Sequence, residues 1–218
     1  MITESFPALD AIPRIRAGFV RRVPGLDVRV ERGEVLARLD ASHREALAAA
    51  GLGGMAFATA EQVHGNRVAA VSSATTAAAA DGLLTTIPGI CLGIYVADCA
   101  AVYLADRDGR GIALVHSGKK GTELGIVPAA VEALCRAASL HPSDLVAQIS
   151  PCIRPPHYET DFAAGIASQL AAAGVGEIHD CSLCTASHPE AYYSYRREKG
   201  RTGRMLAFLA LSGKQLPE

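Results

Sequence analysis

The sequence predicts a single-domain α/β protein, with α+β as the alternative, in which helices flank a mixed β-sheet core. The first observation is a set of three almost continuous apolar runs within 30 residues: Ile90–Val96, Ala100–Ala105 and Gly111–Val115. Strands without polar alternation are typical of a sheet that is covered on both faces. The second observation is the alternation of strand and helix patterns in the second half of the chain. The third is the length of 218 residues, from which we assign residues 1–218 to one domain.

The N-terminal part of the chain carries weaker patterns. The run Val28–Arg32 alternates as a half-buried strand does, after a turn at Pro24-Gly25. Ser42 and Glu45 have the S-x-x-E spacing of a capping box, so we expect a helix that begins at Ser42 and ends before Gly51. The stretch Ser72–Ala80 contains only Ser, Thr and Ala, which indicates a loop or a weak helix.

The second half of the chain carries sharper patterns. Thr122 is expected to cap a helix that reaches about Ser139, with one buried stripe formed by Leu124, Val127, Val131, Leu134 and Ala138. Another helix is expected over Asp161–Ala173, ended by Gly174. The remaining patterned runs predict three further strands, Leu145–Ile149, Glu177–Asp180 and Arg204–Leu211.

Composition and charge exclude several classes of protein. Half of the residues are hydrophobic and 20% are charged, which is the balance of a folded globular protein and not of a disordered one. The 21 basic and 22 acidic residues give a net charge of −1, so the chain lacks the basic footprint of a nucleic-acid or anionic-membrane binder. No apolar run approaches the roughly 20 residues that span a bilayer, and the first residues lack a signal-peptide pattern. We therefore expect a cytoplasmic enzyme or binding protein, whose oligomeric state the sequence does not indicate.

The chain contains six cysteines, Cys91, Cys99, Cys135, Cys152, Cys181 and Cys184. Without a secretory pattern, reduced thiols or metal ligands are expected more than disulfides. The pair Cys181 and Cys184, flanked by His179 and His188, raises the hypothesis of a metal site of its own. A span of ten residues is tight for a closed Cys₂His₂ site, and a structural turn is the alternative.

Three short segments place metal-ligating side chains next to a glycine or at a strand end, and they contain His64, Cys99 and His116. The pair Asp98-Cys99 interrupts an apolar run, where burial is costly unless the two groups are paired or bind a metal. His116 ends an apolar strand and enters a Gly-rich turn, a usual position for a site residue. Two imidazoles and one thiolate suit Zn²⁺ with a fourth position open, which is the catalytic arrangement. The alternatives are core histidines and a cysteine that serves as a small hydrophobe.

A series of short motifs runs along the chain in a recognisable order. They are Gln62–Gly65, Ala80–Thr85, Val96–Cys99, His116–Gly121, Ile149–Ile153, Tyr158–Phe162, Cys184-Thr185, Tyr193–Arg197 and Thr202–Arg204. This series resembles the laccase-domain family, also called the polyphenol oxidase family. That family includes the bacterial peptidoglycan editing factor and zinc-dependent purine nucleoside phosphorylases. The resemblance is strongest over residues 61–211, and residues 1–60 are divergent.

The resemblance implies a function as well as a fold. It implies that His64, Cys99 and His116 bind one catalytic Zn²⁺ and that the substrates are a purine nucleoside and phosphate. It further implies phosphorolysis of adenosine, inosine or methylthioadenosine, together with deamination of adenosine.

Neighbours of the three ligands are candidates for roles in such chemistry. Asp98 is a candidate proton carrier because it adjoins Cys99, which we also count as catalytic. Lys119 and Lys120, with the backbone amides of Gly118 and Gly121, would supply an anion pocket if their turn forms a nest; an exposed turn is the alternative. We assign Lys120 to catalysis, and the substrate-binding candidates are Gln62, Ser117, Lys119 and Arg196.

The run Arg196–Arg201 would hold an anionic or ribose group, or else form a solvated loop with some ion pairs. Tyr193 and Tyr195 would stack on a base, or else belong to the core.

The sequence departs from the family pattern at two places. Lys119-Lys120 stands where family members usually carry Trp-Arg, so an aromatic surface and a two-pronged anion donor are both replaced by point charges. The family's N-terminal His-Ala-Phe and Gly-rich turn are reduced to Ala17–Arg22. These departures keep open a non-catalytic protein that binds a nucleoside or a peptidoglycan precursor.

Two further enzyme classes are weighed against the zinc enzyme. A multicopper oxidase needs many imidazoles, typically in His-x-His pairs, and the chain has seven His and no such pair. A blue-copper His₂Cys centre normally adds a weak axial Met, for which only Met1, Met55 and Met205 exist, so copper is not expected. A metal-free hydrolase would use Cys99 as nucleophile and His64 or His116 as base.

Overall fold

Two six-stranded mixed sheets carry the fold in the computed structural model, which describes residues 3–213. The strands are β1 (Thr3–Glu4), β2 (Ile15–Val20), β3 (Ala56–Ala60), β4 (Val68–Ala70), β5 (Thr75–Ala77), β6 (Gly82–Thr85), β7 (Ile90–Val96), β8 (Ala100–Asp106), β9 (Ile112–Ser117), β10 (Leu145–Ile149), β11 (Glu177–Asp180) and β12 (Met205–Leu211). The helices are α1 (Pro7–Asp10), α2 (Arg32–Ala49), α3 (Lys119–Glu123), α4 (Ile126–Ala138) and α5 (Phe162–Ala172). Within residues 3–213, no helix is both long enough and apolar enough to cross a bilayer.

The first sheet has the order β1-β2-β12-β7-β3-β5, and the second has the order β11-β10-β8-β9-β6-β4. Parallel pairs occur in both sheets: β3 with β5 and β7 in the first, and β10 with β11 and β4 with β6 in the second. The other pairs are antiparallel. These sheets and their flanking helices confirm the predicted α/β class with a mixed sheet core. The three apolar strands are divided, because β7 belongs to the first sheet while β8 and β9 belong to the second.

The largest apolar cluster joins side chains of both sheets, among them Leu92 and Ile94 of β7 with Tyr103 of β8 and Leu114 of β9. Because side chains alternate along a strand, the opposite face of each sheet packs on helices. The first sheet packs on α2 through a cluster that includes Phe208. The second sheet packs on α4 and α5. Double coverage explains the continuous apolar runs of these strands.

The prediction for residues 28–50 is wrong in two respects. Val28–Arg32 does not form a strand, and α2 begins at Arg32, so Ser42 lies in the helix interior. Val35, Leu39 and Ala46 are buried at helical spacing, and this stripe extends well before the S-x-x-E pattern. The pattern by itself does not distinguish a helix start from a helix that is already under way.

The helix expected from Thr122 to Ser139 is interrupted. It divides into α3 and α4 at Gly125, whose φ of 73° is left-handed and therefore suits glycine. Leu124 consequently leaves the predicted stripe and is 46% exposed, whereas Val127, Val131 and Leu134 are buried as predicted.

A second correction concerns Ser72–Ala80, which is not only loop because it contains β5.

The other predicted elements of the second half are confirmed. The strands β10, β11 and β12 lie within one residue of their predicted limits. In α5, the side chain of Asp161 caps the helix by accepting a hydrogen bond from the amide of Ala164 at 3.0 Å.

Candidate functional site

His64, Cys99 and His116 converge although they come from three separate loops and strands. His64 lies in the turn after β3, Cys99 in the short link from β7 to β8, and His116 on β9. Their ligand atoms all lie within 4.8 Å of one another, and no other group of this kind occurs in residues 3–213. The cluster therefore forms where the chain crosses from the first sheet to the second.

Asp81, just before β6, organises this cluster. Its fully buried carboxylate accepts hydrogen bonds from the amides of Val63, His64 and Gly65 at 3.1, 2.9 and 2.7 Å. The three bonds hold His64 in a left-handed conformation with φ of 59°. Asp81 also accepts a bond of 2.8 Å from Nδ1 of His116, which leaves Nε2 of that ring available to an ion. The sequence motif contained Asp81, but the residue pattern did not assign it a role.

The cluster favours charged side chains. Burial raises the pKa of Asp81, but its hydrogen bonds from His116 and Gly65 outweigh burial and lower it to about 2. Burial also raises the pKa of the Cys99 thiol, which the charge and hydrogen bonds of His116 and His64 lower to about 6. For His116 burial lowers the pKa, and the neighbouring Cys99 and Asp81 raise it to about 9. The neighbouring imidazoles thus favour the thiolate form of Cys99, which is the form that ligates metals.

Gly118 provides the space for the sulfur of Cys99. A Cβ atom at this position would lie 2.5 Å from Cys99 Sγ, which is too close for two atoms that are not bonded. Thr122 stabilises the turn that contains Gly118. Its Oγ1 donates a hydrogen bond to the carbonyl of Gly118 at 2.9 Å and lies 2.8 Å from the hydroxyl of Ser117.

Asp98 connects the cluster to distant parts of the chain. Its buried carboxylate accepts hydrogen bonds from the hydroxyl of Thr185 and the amide of Arg196, both at 2.7 Å. Its carbonyl accepts a bond from the amide of Ile153 at 2.8 Å. With φ of 86°, Asp98 is held in a conformation that is rare for a residue with a side chain. These bonds position Cys99, and the role of Asp98 as a proton carrier stays a prediction.

A cavity of about 690 Å³ opens onto the three ligands. Its wall includes four aromatic side chains, Tyr95, Tyr158, Phe162 and Tyr195, and four cationic ones, Lys119, Arg196, Arg201 and Arg204. Aromatic faces suit a planar base, and cations suit phosphate or another anion. The cavity therefore places the candidate metal cluster beside aromatic and cationic surfaces.

Three of the predicted substrate residues line this cavity. Gln62 is fixed by its own amide group, which bonds to the backbone of Tyr95 at 2.7 and 3.1 Å. The guanidinium of Arg196 donates to Glu159 at 3.1 Å and lies 4.7 Å from the ring centre of Tyr158. Lys119 lines the cavity at the start of α3.

The other candidates lie elsewhere. Ser117 is fully buried and paired with Thr122, and Lys120 is exposed; neither lines the cavity. Tyr193 is buried in the core, whereas Tyr195 lines the cavity and is 54% exposed. Arg201 and Arg204 also line the cavity; both belong to patterned runs of the sequence, but neither has an individual role predicted from it.

The hypothesis of a second metal site around Cys181 and Cys184 is wrong for this structure. Among residues 3–213 the only candidate metal cluster is that of His64, Cys99 and His116. His179 instead pairs with Glu177 at 2.6 Å. All six cysteines are free thiols, as predicted.

Comparison with known proteins gives a consistent result. Residues 19–162 and 157–212 match the family model described as multi-copper polyphenol oxidoreductase laccase. The chain is 32% identical over 180 residues to purine nucleoside phosphorylase ORF3 of Streptomyces griseus, a match that covers 69% of this chain and 72% of that protein. It is 30% identical over 227 residues to a purine nucleoside phosphorylase of Deinococcus radiodurans, which covers 92% and 88% of the two chains.

Solved structures show the same similarity. YlmD from Geobacillus stearothermophilus superposes with a TM-score of 0.79 at 25% identity, covering 93% of each chain. The hypothetical protein YfiH of Bacillus licheniformis superposes with a TM-score of 0.76 at 26% identity, covering 90% of this chain and 92% of that one.

Proposed function

This chain belongs to the multi-copper polyphenol oxidoreductase laccase family, and on that premise we propose that it is a zinc-dependent purine nucleoside phosphorylase. Relatives at 30% and 32% identity are named for that activity. The observation that carries the proposal is the shared cavity, in which the His64, Cys99 and His116 cluster faces the same space as four cationic and four aromatic side chains.

The donor set fits Zn²⁺. A thiolate and two imidazoles are the borderline ligands that Zn²⁺ prefers, and three protein ligands are typical of its catalytic sites. The Asp81–His116 hydrogen bond is the carboxylate–histidine pair that commonly orients a zinc ligand. When bound, Zn²⁺ would supply Lewis-acid polarisation to the substrate and to water.

In the proposed reaction, an oxygen of phosphate attacks C1′ of the ribose. The bond from C1′ to N9 breaks and its electron pair goes to the purine, which takes up the proton that hydrogen phosphate loses as ribose 1-phosphate forms. Lys119, Arg196 and Arg204 hold the phosphate, because arginine forks and a lysine charge match its oxygens. Tyr158 and Tyr195 hold the base through their ring faces.

Adenosine deamination is the second activity that we propose for this cavity. Water replaces the amino group at C6, and ammonia leaves to give inosine. The observation that favours it is the polar cluster of His64, Cys99 and His116 on the wall of a cavity large enough for a purine. Asp98 is the proton carrier that we propose, although its hydrogen bonds also give it a positioning role.

The test is a panel of adenosine, inosine and methylthioadenosine, assayed with and without phosphate alongside elemental analysis of the purified protein. We expect phosphate-dependent release of free base, ammonia from adenosine, and about one zinc per chain. Copper in place of zinc, with oxidation of a phenol, would overturn the proposal. Full activity of a zinc-free protein that a thiol alkylator inactivates would instead select the Cys99 hydrolase. Binding of inosine without any product would select a non-catalytic nucleoside or peptidoglycan-precursor binder.

We also propose that the protein is cytoplasmic, because cysteines without disulfides are typical of a reducing compartment.

A further inference from the structure

We propose that a basic groove beside the cavity binds the oligophosphate chain of a purine nucleotide whose base and ribose occupy the cavity. This inference rests on the proposed function, because it takes the cavity to be a nucleoside site. We define the basic groove by Arg22, Arg29, Arg197, Glu198, Lys199 and Arg201, which enclose about 490 Å³.

The basic groove adjoins the cavity at Arg201. Arg201 lines both depressions, and Gly200 and Thr202 on either side of it line the cavity. The loop turns sharply here, since Lys199 and Gly200 have left-handed φ values of 52° and 87°. Arg201 is therefore the side chain that a ligand reaching from the cavity into the basic groove would pass.

Most cations of the basic groove form no ion pair within residues 3–213, although Asp27 interacts electrostatically with Arg29 and accepts a hydrogen bond from its amide at 3.1 Å. Glu198 is the only carboxylate that lines it, and this group is already engaged by Arg22 at 2.8 Å, by the amide of Ser194 at 3.1 Å and by the hydroxyl of Thr202. Arg22 in turn stacks on the Tyr193 ring, with 4.4 Å from Cζ to the ring centre. Arg22 and Glu198 thus form a structural pair that contributes no net charge.

Four cations remain, Arg29, Arg197, Lys199 and Arg201, and all of them are exposed. Within the described part of the chain, none of the four has a carboxylate oxygen within 4.0 Å of its charged nitrogens. Arg197 donates to a neutral group, the carbonyl of Ala186, at 3.3 Å. Like charges around a concave surface repel one another and create a strong positive potential, which an anion relieves.

The chemistry of the groove matches an oligophosphate more closely than a single phosphate. Lys119 lines the cavity itself and can meet one phosphate there, so the groove adds cations beyond that need. Linked phosphates present several charges in a row, and arginine forks bind their oxygens in pairs. A small concave groove on a chain with a net charge of −1 suits a small molecule and not a nucleic acid.

The experiment measures binding of adenosine, ADP and sodium tripolyphosphate to the full chain by calorimetry at low ionic strength. The test variant is the double substitution Arg29→Gln and Lys199→Asn, in which asparagine tolerates the left-handed backbone. Neither residue lines the cavity. The matched control, Arg136→Gln, removes an exposed arginine of α4 that lines neither the cavity nor the basic groove.

We expect ADP to bind the unmodified protein at least tenfold more tightly than adenosine. The double variant should lose that tenfold advantage and keep its adenosine affinity within twofold, while Arg136→Gln changes neither value by more than twofold. Tripolyphosphate that binds as tightly as ADP, and weakens equally in the double variant, would confirm the groove and identify free oligophosphate as the ligand.

The proposal fails if ADP binds no better than adenosine, or if the double variant binds ADP as the unmodified protein does. Adenosine phosphorolysis that persists in that case would leave the proposed function intact. The converse result is also distinguishable. If the unmodified protein neither binds nor cleaves adenosine, the proposed function is refuted. If the double variant of that protein then loses tripolyphosphate binding, the groove is still an oligophosphate site.

Discussion

The proposed metal side and the proposed phosphate side of the cavity are constructed differently. On the metal side, His116 and Asp81 are buried, and one carboxylate receives four hydrogen bonds from the residues around it. On the phosphate side, Arg196 is 54% exposed and its guanidinium is held by one exposed ion pair and one ring contact. Hydrogen bonds thus hold the His64 backbone and the His116 ring in place, whereas the cations can adjust to an anion. We expect substitutions on the metal side to abolish function and those on the phosphate side to reduce it by degrees.

The largest expected effect is loss of a ligand. Cys99→Ala or His116→Ala should abolish zinc content and lower turnover at least about a thousandfold, since two remaining ligands hold Zn²⁺ poorly. Elemental analysis and nucleoside assays measure both effects, and circular dichroism checks that the fold persists. Cys135→Ala on α4 is the control, because it removes a thiol that does not line the cavity. Unchanged zinc stoichiometry in both ligand variants would overturn the assignment.

The next effect tests whether Asp81 prepares the metal side. Asp81→Asn should lower zinc affinity about 10–100-fold, which is typical when the carboxylate partner of a ligating histidine is lost. The amide also brings an NH₂ group towards three backbone N–H donors, so the melting temperature should fall. Competition with a chromogenic chelator gives the affinity. Asp161→Asn, which keeps an N-cap acceptor on α5, is the matched control. Zinc affinity equal to that of the unmodified protein would show that the cluster forms without Asp81.

A smaller effect is expected on the phosphate side. Arg196→Ala should raise the KM for phosphate about tenfold while zinc content stays the same, because the guanidinium lines the cavity but does not contact the metal cluster. Arg196→Lys should recover part of the loss, since it restores the charge without the fork. Steady-state kinetics at varied phosphate measures this. If Arg196→Ala also lost zinc about tenfold, Arg196 would contribute to the metal side as well, and the two sides would not be separate.

The smallest effect at neutral pH concerns His43, which packs from α2 on Tyr95 in the cavity wall, with ring centres 5.7 Å apart. Burial lowers the pKa of His43 to about 4 from its usual 6.5, against weaker opposing influences of the Arg204 backbone and the Asp40 carboxylate. Above pH 6.5 the ring is neutral in both the folded and the unfolded state, so the free energy of unfolding keeps its full value. Between about 6.5 and 4 the unfolded chain takes up a proton that the folded chain does not, so stability falls as pH falls.

Chemical denaturation at several pH values tests this. The free energy of unfolding of the unmodified protein should fall relative to His43→Phe by up to about 3 kcal/mol between pH 6.5 and 4, while activity at neutral pH changes little. Parallel curves for the two proteins would mean that His43 gains its proton as easily in the folded state.

Local sequence patterns predicted much of the fold. Five strands were predicted from continuous apolar runs, namely β7, β8, β9, β10 and β12. Strands that are covered on both faces need apolar residues at every position. The sequence did not predict that β7 and β8 belong to different sheets, because an apolar run does not specify which strand it pairs with. The start of α2 was missed for a related reason, because S-x-x-E occurs inside helices as well as at their ends.

The candidate site follows the same division. The sequence by itself determined the candidate ligand types, since Cys99 interrupts an apolar run, His116 ends an apolar strand and His64 stands beside a glycine. Only the tertiary structure decided that Asp81 binds three amides and one imidazole, that Gly118 leaves room for a sulfur atom, and that Arg201 faces two depressions. The physical reason is that residue type fixes which bonds a group can make, whereas hydrogen-bond partners, steric contacts and shared cavities depend on distances between segments that are remote along the chain.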